Sequence, residues 1–328
     1  MAAQKVRFGP RRLAHGNLFV SNLERSLRFY TRVCGLREVF REPPIKAGFL
    51  SNGSSHHDVA LIEISDRTRR GGDGRVTIPA SQGRSPGLNH FGWEMETEAQ
   101  LVEAYRRARG SGLEVKRTAN HQVSHSVYVF DPESNFNEFY SDASDDWREV
   151  WRPGNTDVLT VEWSPEEAEP STKPLYIADP DLSPEPGSII PSRQIDHGVL
   201  VANDYEKLLA FYTDVAGLQI AFASTHDAFA VLSGSLSGRD LALLPAAEGR
   251  PPGMHHVGFR VFDEDELEEA ETRLRAEGIE PEMTVDHPTK RSLFLKDPDG
   301  IRLEFYVKRL APLSALADTG GYDPAYLL

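Results

Sequence analysis

The 328-residue sequence contains a single cysteine and no long hydrophobic run. Cys34 has no second cysteine in the chain with which to form a disulfide, which is typical of a protein from a reducing compartment. No stretch reaches the about 18 consecutive apolar residues that mark a membrane-spanning helix. The first residues, MAAQKVRFGPRRLAHG, lack the apolar core of a secretory signal. We therefore expect a cytoplasmic protein with no membrane partner.

An excess of positive charge is also missing. The sequence has 36 lysines and arginines against 50 aspartates and glutamates, and its formal net charge is −14. Nucleic-acid-binding domains usually carry the opposite excess, so we expect no nucleic-acid partner. With 39% hydrophobic and 26% charged residues, the composition is that of an ordinary globular protein, and the length suits two domains.

The sequence repeats itself once. Three stretches recur in the same order and share His-Gly, Phe-Tyr-Thr, Gly-Leu and an Asp-Pro turn followed by Glu-Phe-Tyr. The matching stretches are residues 15–40 with 197–222, 87–96 with 253–262, and 124–140 with 291–306. Such a repeat indicates two copies of one domain.

The repeat sets the predicted domain bounds. We predict one domain over residues 1–141 and a second over 194–309. Residues 142–193 are acidic and rich in proline, a composition that predicts an extended linker. At its start, Trp147 and Trp151 have the i,i+4 spacing of a short helix, which we expect to pack on the first domain. Residues 310–328 form a tail whose aromatic residues could dock on the body of the protein or on another subunit.

Within each copy, the apolar pattern predicts a strand, a helix and three further strands, and this unit occurs twice. In the first unit, a strand-like run ends at Ser21 and Asn22, which are typical helix N-caps. Gly35 follows the predicted helix at a typical stop position. The segments REVFRE, AGFLS and DVALIEI then read as strands. Each domain is therefore predicted to be a pair of βαβββ units.

Each copy also places two histidines and one glutamate on predicted strands. The second histidine and the glutamate are 48 residues apart in both copies (90 to 138 and 256 to 304). The residues are His15, His90 and Glu138 in the first copy and His197, His256 and Glu304 in the second. A carboxylate among large apolar neighbours is costly to bury unless it is paired or binds a metal.

Two imidazoles and one carboxylate can occupy one face of a metal ion and leave the other face open, as in mononuclear non-haem Fe(II) sites. The spacing alone fits Zn, Mn or Ni as well. A single histidine on a strand is more often a hydrogen-bonded structural residue, and the recurrence of the whole set favours a metal.

The repeated unit resembles the vicinal oxygen chelate superfamily. The resemblance rests on the histidine of the opening strand, on FYT and GL around the helix end, and on a DPxGxxxExY pattern. A two-domain chain of this length is most similar to the type I extradiol ring-cleaving dioxygenases, such as catechol 2,3-dioxygenases. The resemblance implies an α+β fold in which each domain forms a curved mixed or antiparallel sheet that encloses a metal site. It also implies Fe(II), with Mn(II) as the alternative, a small aromatic substrate with O2, and a homo-oligomer.

The same resemblance assigns catalytic groups around the metal. HHDVALIEI is similar to the strand that carries the family's acid–base histidine, which maps onto His57, whereas we expect His56 to be exposed. HQVSH is similar to the family's histidine loop and maps onto His121 and His125, either of which could face the site. Tyr128 matches the tyrosine that contacts the substrate oxygen.

The second copy keeps the ligand pattern and loses these groups. Arg239 stands where the first copy has His57, and Phe294 replaces Tyr128. Arginine stays charged near neutral pH, and phenylalanine has no proton to donate. We therefore predict that the first domain is catalytic and that the second set is a possible second metal site. This departs from the family pattern, in which the second domain is usually the active one.

The predicted activity is extradiol cleavage of a catechol-type aromatic by Fe(II) and O2. The first alternative is a metal-dependent lyase, isomerase or epimerase of the same superfamily. Such enzymes usually use a further glutamate, and no Glu or Gln replaces either histidine here. The second alternative is a non-catalytic protein that sequesters an aromatic antibiotic, which would leave His57 and Tyr128 without a role.

Overall fold

The computed structural model describes residues 5–152, 160–224 and 228–328, and it contains two eight-stranded sheets, one for each repeat. The strands of the first domain are β1 (Arg12–Val20), β2 (Arg37–Glu42), β3 (Ala47–Ser51), β4 (Val59–Glu63), β5 (Arg69–Arg70), β6 (Val76–Ile78), β7 (Gly87–Glu94), β8 (Arg117–Asn120), β9 (Ser124–Phe130) and β10 (Phe136–Asp142). Those of the second domain are β11 (Gln194–Ala202), β12 (Gln219–Ser224), β13 (Phe229–Ser233), β14 (Leu241–Pro245), β15 (Gly253–Arg260), β16 (Met283–His287), β17 (Lys290–Lys296) and β18 (Arg302–Lys308).

The described helices are short and begin at polar caps. They are α1 (Leu23–Arg32), α2 (Glu98–Ser111), α3 (Trp147–Val150), α4 (Tyr205–Asp214), α5 (Glu264–Ala276) and α6 (Pro324–Leu327). The side chains of Asn22, Thr97 and Asp263 accept main-chain hydrogen bonds at the starts of α1, α2 and α5. None of the helices in the described ranges is long and apolar enough to cross a membrane.

The two halves of each sheet are the predicted βαβββ units. The strand order of the first sheet is β2-β3-β4-β1-β7-β10-β9-β8, and that of the second is β12-β13-β14-β11-β15-β18-β17-β16. In the first sheet, β1 and β7 pair antiparallel at the centre, while β4 lies parallel to β1 and β10 lies parallel to β7. The α+β fold with two repeated mixed sheets is confirmed. Its three central strands β1, β7 and β10 carry the predicted ligands.

The two domains share one buried apolar cluster. Tyr30 of α1 and Tyr212 of α4 belong to it, together with Phe91 of β7 and Ile195 of β11. Phe91 lies over Gly198, where a Cβ atom would be 2.4 Å from the phenyl ring. The opening strands of the two sheets therefore pack closely against each other.

A pair of buried aspartates reinforces this contact. Oδ1 of Asp58, in the first domain, accepts a hydrogen bond from the main-chain N–H of Ile195 at 3.1 Å. Oδ1 of Asp240, in the second domain, accepts one from the main-chain N–H of Leu13 at 2.7 Å. Each domain thus holds the opening strand of the other.

The segment between the domains begins with the predicted short helix, α3, and this helix packs on the first domain. Trp147, Trp151 and Trp163 are buried, and the first two join an apolar cluster of the first domain. Residues 153–159 of the predicted linker lie outside the described residues. The tryptophans supply the apolar surface that the acidic, proline-rich composition otherwise lacks.

The tail packs on the second domain. It contains a 3-10 turn at Leu313–Ala317 and then α6, and its residues Leu316, Leu327 and Leu328 are buried in a cluster with β11, β13 and β14. Within the described chain, the body of the protein is therefore where the tail docks.

Candidate metal centre

Two histidines and one glutamate from three adjacent strands meet at the centre of the first sheet. β1 supplies His15, β7 supplies His90 and β10 supplies Glu138, and all three side chains are buried. The Nε2 atoms of His15 and His90 lie 3.0 and 2.9 Å from Oε2 of Glu138. The structure therefore brings together the three residues that the sequence predicts as ligands.

A glycine on the middle strand makes this meeting possible. Gly92 lies opposite His15 in the β1–β7 pair and opposite Glu138 in the β7–β10 pair. A Cβ atom on Gly92 would lie 1.9 Å from Nε2 of His15. Gly258 has the same place in the second domain, where a Cβ atom would lie 2.2 Å from Cε1 of His197. Sequence reasoning missed these glycines, although each follows a ligand histidine by two residues in a matched stretch.

Burial sets the protonation states of the ligands. It lowers the pKa of His15 to about 4, in spite of the opposing effect of Glu138. Burial also acts to raise the pKa of Glu138, but the hydrogen bonds and charges of His15 and His90 hold that pKa well below its usual value. Near neutral pH the set therefore holds a neutral His15 and an ionised carboxylate, the states in which these groups bind metals.

The donor set fits a divalent metal ion. The three ligand atoms lie within 4.8 Å of one another. Nε2 of His90 and Nε2 of His15 are both directed at the same carboxylate oxygen of Glu138. No lysine or arginine in the described ranges forms an ion pair with Glu138, whose ion-pair partners there are histidines. A bound cation would bind the two imidazole nitrogens and balance the buried carboxylate.

Tyr128 lies beside the ligand set, directly opposite Glu138 in the β9–β10 pair. Its hydroxyl oxygen is 2.9 Å from Nε2 of His121, whose Nδ1 is 3.0 Å from Oγ1 of Thr160. Ser126 Oγ donates a hydrogen bond to Oε1 of Glu138 at 2.6 Å. Burial lowers the pKa of His121 to about 3 and raises the pKa of Tyr128 well above its usual value. Near neutral pH, a protonated phenol therefore contacts a neutral imidazole.

His57 lies on the other side of the set, with its ring stacked on His15 at a centroid distance of 4.0 Å. Its Nε2 is 3.0 Å from Oδ1 of Asn17, and its buried Nδ1 has no hydrogen-bond partner among the described residues. Because an amide oxygen only accepts, Nε2 carries the proton and Nδ1 keeps a free lone pair. Burial and the neighbouring histidines hold the pKa of His57 well below its usual value.

His56 is buried, so the prediction of an exposed side chain is wrong. Only 2% of its surface is exposed, and its Nδ1 lies 3.4 Å from Oδ1 of Asp142. Its ring meets Tyr140 and Trp151 edge-on. Trp151 comes from the segment between the domains, and the local sequence around His56 gave no sign of this cover.

His125 does not join the site. Side chains alternate along a strand, so His125 points away from the face that carries Ser126 and Tyr128. Its Nδ1 lies 2.7 Å from Oε1 of Glu98, and its ring stacks on Trp163 at 4.7 Å. Of the two candidates in HQVSH, the structure therefore places only His121 at the site, and His125 connects β9 with α2 and the interdomain segment.

The first site opens into a cavity of about 820 Å³, counted with the part that is open to solvent. His90, Glu138, His57, His121 and Tyr128 all line this cavity. A large part of the remaining wall is apolar. It is formed by Phe40, Ile45, Phe49, Ile62, Ile78 and Trp151.

The second set is assembled in the same way but contains a lysine. The Nε2 atoms of His197 and His256 lie 3.0 and 3.4 Å from Oε2 of Glu304. Nζ of Lys290, a fully buried residue, lies 2.5 Å from Oε1 of the same carboxylate. Lys290 begins β17, as Ser124 begins β9, and sequence reasoning missed it. A metal ion fits this set less well than the first, because a positive charge already pairs with the carboxylate.

In a comparison with known proteins, both repeats match one family model. Residues 12–139 and 194–305 match the Glyoxalase/Bleomycin resistance protein/Dioxygenase superfamily. A catechol-2,3-dioxygenase of Bacillus subtilis (strain 168) is 26% identical over 257 residues, which cover 76% of this chain and 74% of that protein.

Two solved structures show the shared architecture. The 2,3-dioxygenase LapB from Pseudomonas sp. KL28 superposes with a TM-score of 0.63 at 17% identity, covering 93% of this chain and 94% of that one. The Mn(II)-bound glyoxalase from Novosphingobium aromaticivorans superposes with a TM-score of 0.62 at 18% identity, covering 90% and 82%. At these identities the likeness concerns the fold alone.

Proposed function

The chain belongs to the Glyoxalase/Bleomycin resistance protein/Dioxygenase superfamily, and on this premise we propose that its first domain is an extradiol ring-cleaving dioxygenase. The enzyme would use mononuclear non-haem Fe(II), with Mn(II) as the alternative, and O2 to cleave a catechol-type aromatic. One observation carries the proposal: a single cavity is lined by His90 and Glu138 of the ligand set, by the hydrogen-bonded Tyr128 and His121, and by His57. The similarity to a catechol-2,3-dioxygenase supports the same chemistry.

His15, His90 and Glu138 would hold the metal. When bound, Fe(II) would supply the Lewis-acid and redox chemistry for the reaction of the catechol with O2. Because His90 and Glu138 also line the cavity, a substrate in the cavity has direct access to the metal.

Tyr128 and His121 would hold one substrate oxygen. In the tautomer of His121 that carries its proton on Nε2, Nδ1 accepts a hydrogen bond from the hydroxyl of Thr160 and Nε2 donates one to the phenol oxygen of Tyr128. In this arrangement the hydroxyl proton of Tyr128 is free to be donated to a substrate oxygen. The raised pKa of Tyr128 keeps that proton in place when the substrate oxygen loses its own.

His57 would move the proton. Asn17 fixes the protonated Nε2, so the unprotonated Nδ1 is the atom that accepts a proton from a substrate hydroxyl and returns it when the ring opens. The depressed pKa of His57 keeps the imidazole neutral, and therefore able to accept, before substrate binds.

Oxygen uptake by the Fe(II)-loaded protein with a panel of catechols tests the proposal. We expect one O2 consumed per ring opened and the absorbance of a hydroxymuconic semialdehyde or a close relative, with Glu138→Gln as the inactive control. No uptake and no coloured product across the panel would exclude the proposal. Turnover under nitrogen with Ni, Co or Zn would instead indicate a lyase, isomerase or epimerase. Tight binding of an aromatic that is recovered unchanged would indicate sequestration.

A further inference from the structure

The apolar wall of the first cavity is built from five separate parts of the chain. β2, the turn after it, β3, β4 and β6 supply Phe40, Ile45, Phe49, Ile62 and Ile78. The aromatic part of the wall reaches the catalytic groups directly, because the ring of Phe49 contacts His57 at a centroid distance of 5.2 Å. A ring bound at the metal therefore has an apolar surface next to it.

Trp151 closes this wall from the interdomain segment. Its ring stacks on Phe40 at 4.8 Å and contacts Phe49 at 4.9 Å, and only 6% of its surface is exposed. The same ring meets His56 at 5.3 Å. Trp151 thus joins the apolar wall to the histidines beside the ligand set.

The charged groups of the cavity leave little attraction for an anionic substituent. Among the described lining residues, Arg117 is the one permanent cation, and Glu42 is the carboxylate outside the ligand set. Burial raises the pKa of Glu42, while the charge of Arg117 acts to lower it, so the two groups are close enough to interact. Arg117 also lies 5.5 Å from the ring centroid of Tyr128. A carboxylate placed near Arg117 would meet the repulsion of Glu42.

We propose that the substrate is a catechol with a bulky, uncharged apolar substituent, such as an aryl or alkyl group, bound against Phe40, Phe49 and Trp151. This inference rests on the proposed dioxygenase function. The substituent would exclude water from the wall, which is the main source of affinity for an apolar group.

Two measurements on the metal-loaded protein test the proposal independently of each other. The first is kcat/KM for phenylcatechol, unsubstituted catechol and a carboxylated catechol. The second is the Kd of the same three compounds without O2, which reports binding even if turnover is absent. We expect phenylcatechol to have a kcat/KM about tenfold or more higher, and a Kd about tenfold or more lower, than both other compounds. A preference for the carboxylated compound in the binding measurement would overturn the proposal, whereas binding as expected without oxygen uptake would overturn only the dioxygenase function.

A matched pair of tryptophan variants locates the substituent. Trp151→Ala is expected to reduce the preference for phenylcatechol roughly fivefold. Trp163→Ala is the control, because Trp163 is also a buried tryptophan of the interdomain segment but stacks on His125, outside the site. An unchanged preference in folded Trp151→Ala protein would contradict the assignment.

A different observation concerns the second domain. There Lys290 is fully buried with its ammonium group 2.5 Å from Glu304, and it takes the first position of β17, which Ser124 has in β9. Arg239, also buried, replaces His57. A buried ammonium group supplies the positive charge that a metal would otherwise supply to the carboxylate.

The tail covers the same face of the second domain. His287 is the counterpart of His121, and its Nε2 lies 2.9 Å from the main-chain oxygen of Asp318 in the tail. The ring of Tyr326 lies 4.9 Å from Phe294, the counterpart of Tyr128. The main-chain oxygen of Leu328 is 3.4 Å from Nζ of Lys290.

We infer that Lys290 takes the place of a metal ion in the second domain and that the tail, residues 310–328, takes the place of a substrate. The second set is then a structural ion-pair cluster, and the protein binds one metal ion per chain.

Metal analysis of four proteins tests this inference without any activity assay. We expect one equivalent of Fe(II) or Mn(II) in the wild type and none in Glu138→Gln. We expect one equivalent again in Glu138→Gln/Lys290→Ser, because the second domain then has a serine at position 290, as the first domain has at position 124. The reverse exchange, Ser124→Lys, is expected to lose the metal. Circular dichroism and Tm establish that each variant is folded. Two equivalents in the wild type, one of which persists in Glu138→Gln, would overturn the inference, as would a folded double variant that binds none.

Discussion

At the centre of the first sheet, the imidazole of His15 passes over the main chain of β7 to reach Glu138 on β10. The two residues lie on strands that are not neighbours, and Gly92 on the strand between them leaves the necessary space. Any larger side chain at this position would overlap the imidazole, since even a Cβ atom would lie 1.9 Å from Nε2. The ligand set therefore depends on a residue that has no donor atom in its side chain.

Replacement of this glycine separates assembly of the ligand set from the chemistry of the ligands. Gly92→Ala is expected to displace His15, to remove most of the bound metal and to lower the rate of ring cleavage about 100-fold or more. The overpacked position should also lower the free energy of unfolding by about 1–3 kcal/mol. Metal analysis, oxygen uptake and urea unfolding measure these three effects.

Gly258→Ala is the matched control, because it creates the same overlap with His197 in the second domain. We expect it to destabilise the protein by a similar amount while metal content and ring cleavage remain. Full metal occupancy in Gly92→Ala would show that the set tolerates a displaced His15 and would contradict the assignment.

Removal of the hydroxyl oxygen of Tyr128 tests the role of this residue in the proposed mechanism. Tyr128→Phe introduces the residue found at the matching position of the second domain, Phe294. We expect the metal to remain bound and kcat/KM to fall roughly 10–100-fold, as for the loss of one hydrogen bond to a charged oxygen. Steady-state oxygen uptake measures the change.

Tyr105→Phe is the control for this substitution. The hydroxyl of Tyr105 donates a hydrogen bond to Glu166, and neither residue lines the cavity. An unchanged kcat/KM in Tyr128→Phe, or an equal fall in Tyr105→Phe, would remove Tyr128 from the proposed mechanism.

Among single residues, sequence reasoning found those with distinctive chemistry and missed those with a purely spatial role. The spacing of His90 and Glu138 in both copies was enough to predict that they meet. Gly92 was missed because its role depends on the register of three strands. The choice between His121 and His125 required knowing which face of β9 turns toward the cavity. The sequence of the loop before β9 does not indicate this face.

Among the elements, the opening strands β1 and β11 hold the two domains together through exchanged hydrogen bonds. Asp58 binds the main chain of Ile195, and Asp240 binds that of Leu13. Asp240 also accepts hydrogen bonds from the N–H of Gly234 and the hydroxyl of Ser237. The contact between the two domains is therefore made by buried carboxylates. Their pKa values differ between the folded and the unfolded chain.

This arrangement predicts a pH dependence of stability. Burial raises the pKa of Asp240 from 3.8 to about 6. Between these two pH values the folded state binds more protons than the unfolded state, so the contribution of Asp240 to stability falls as the pH rises from about 4 to about 6. The contribution is constant above that window. The fall is at most about 3 kcal/mol, from 1.36 kcal/mol for each unit of pKa.

Urea unfolding at several pH values between 4 and 7 shows whether the free energy of unfolding falls as the pH rises. Asp240→Asn is expected to flatten the slope within the window, and to lower stability at every pH, because an amide cannot accept all the hydrogen bonds of the carboxylate. Asp204→Asn is the control, since the exposed Asp204 has a lowered pKa through its contact with Lys207. A slope that is the same in Asp240→Asn and in the wild type would contradict the prediction.

The regular elements were predictable because their signals are local. Asn22 and the apolar spacing behind it predicted α1, and the β-like segments REVFRE, AGFLS and DVALIEI predicted β2, β3 and β4. The cover of the first cavity and of the second ligand set was predictable only in part. The spacing of Trp147 and Trp151 predicted a helix packed on the first domain, and the tail aromatics were expected to dock on the body or on another subunit. Only tertiary packing determines that Trp151 reaches the first cavity and that Tyr326 reaches Phe294.

For the whole molecule, duplication has produced two similar sheets with different contents. In the first domain, the ligand set faces a cavity that has catalytic groups on one side and an apolar wall on the other. In the second, Lys290 and the tail occupy the corresponding space. The equal spacing of the ligands in the two copies records their common origin, and it could not reveal this difference, since the difference lies in residues outside the spacing.

Removal of the metal shows whether metal binding at the first site stabilises both domains. Because one buried cluster spans both domains, loss of the metal from the first domain should shift the unfolding of the entire described chain. A ligand at a hundredfold excess over its Kd stabilises the folded state by about 2.7 kcal/mol, so a chelator should lower the Tm of the wild type by several degrees. Scanning calorimetry with and without chelator measures the shift.

Variants of the two glutamates show which site produces that shift. Glu138→Gln should give no response to the chelator, because its metal is already absent. Glu304→Gln should begin from a lower Tm, since it leaves Lys290 as a buried charge without its partner. The chelator should nevertheless lower that Tm by as much as in the wild type. A response that disappears in Glu304→Gln and persists in Glu138→Gln would place the functional metal in the second domain and reverse the assignment of the two halves.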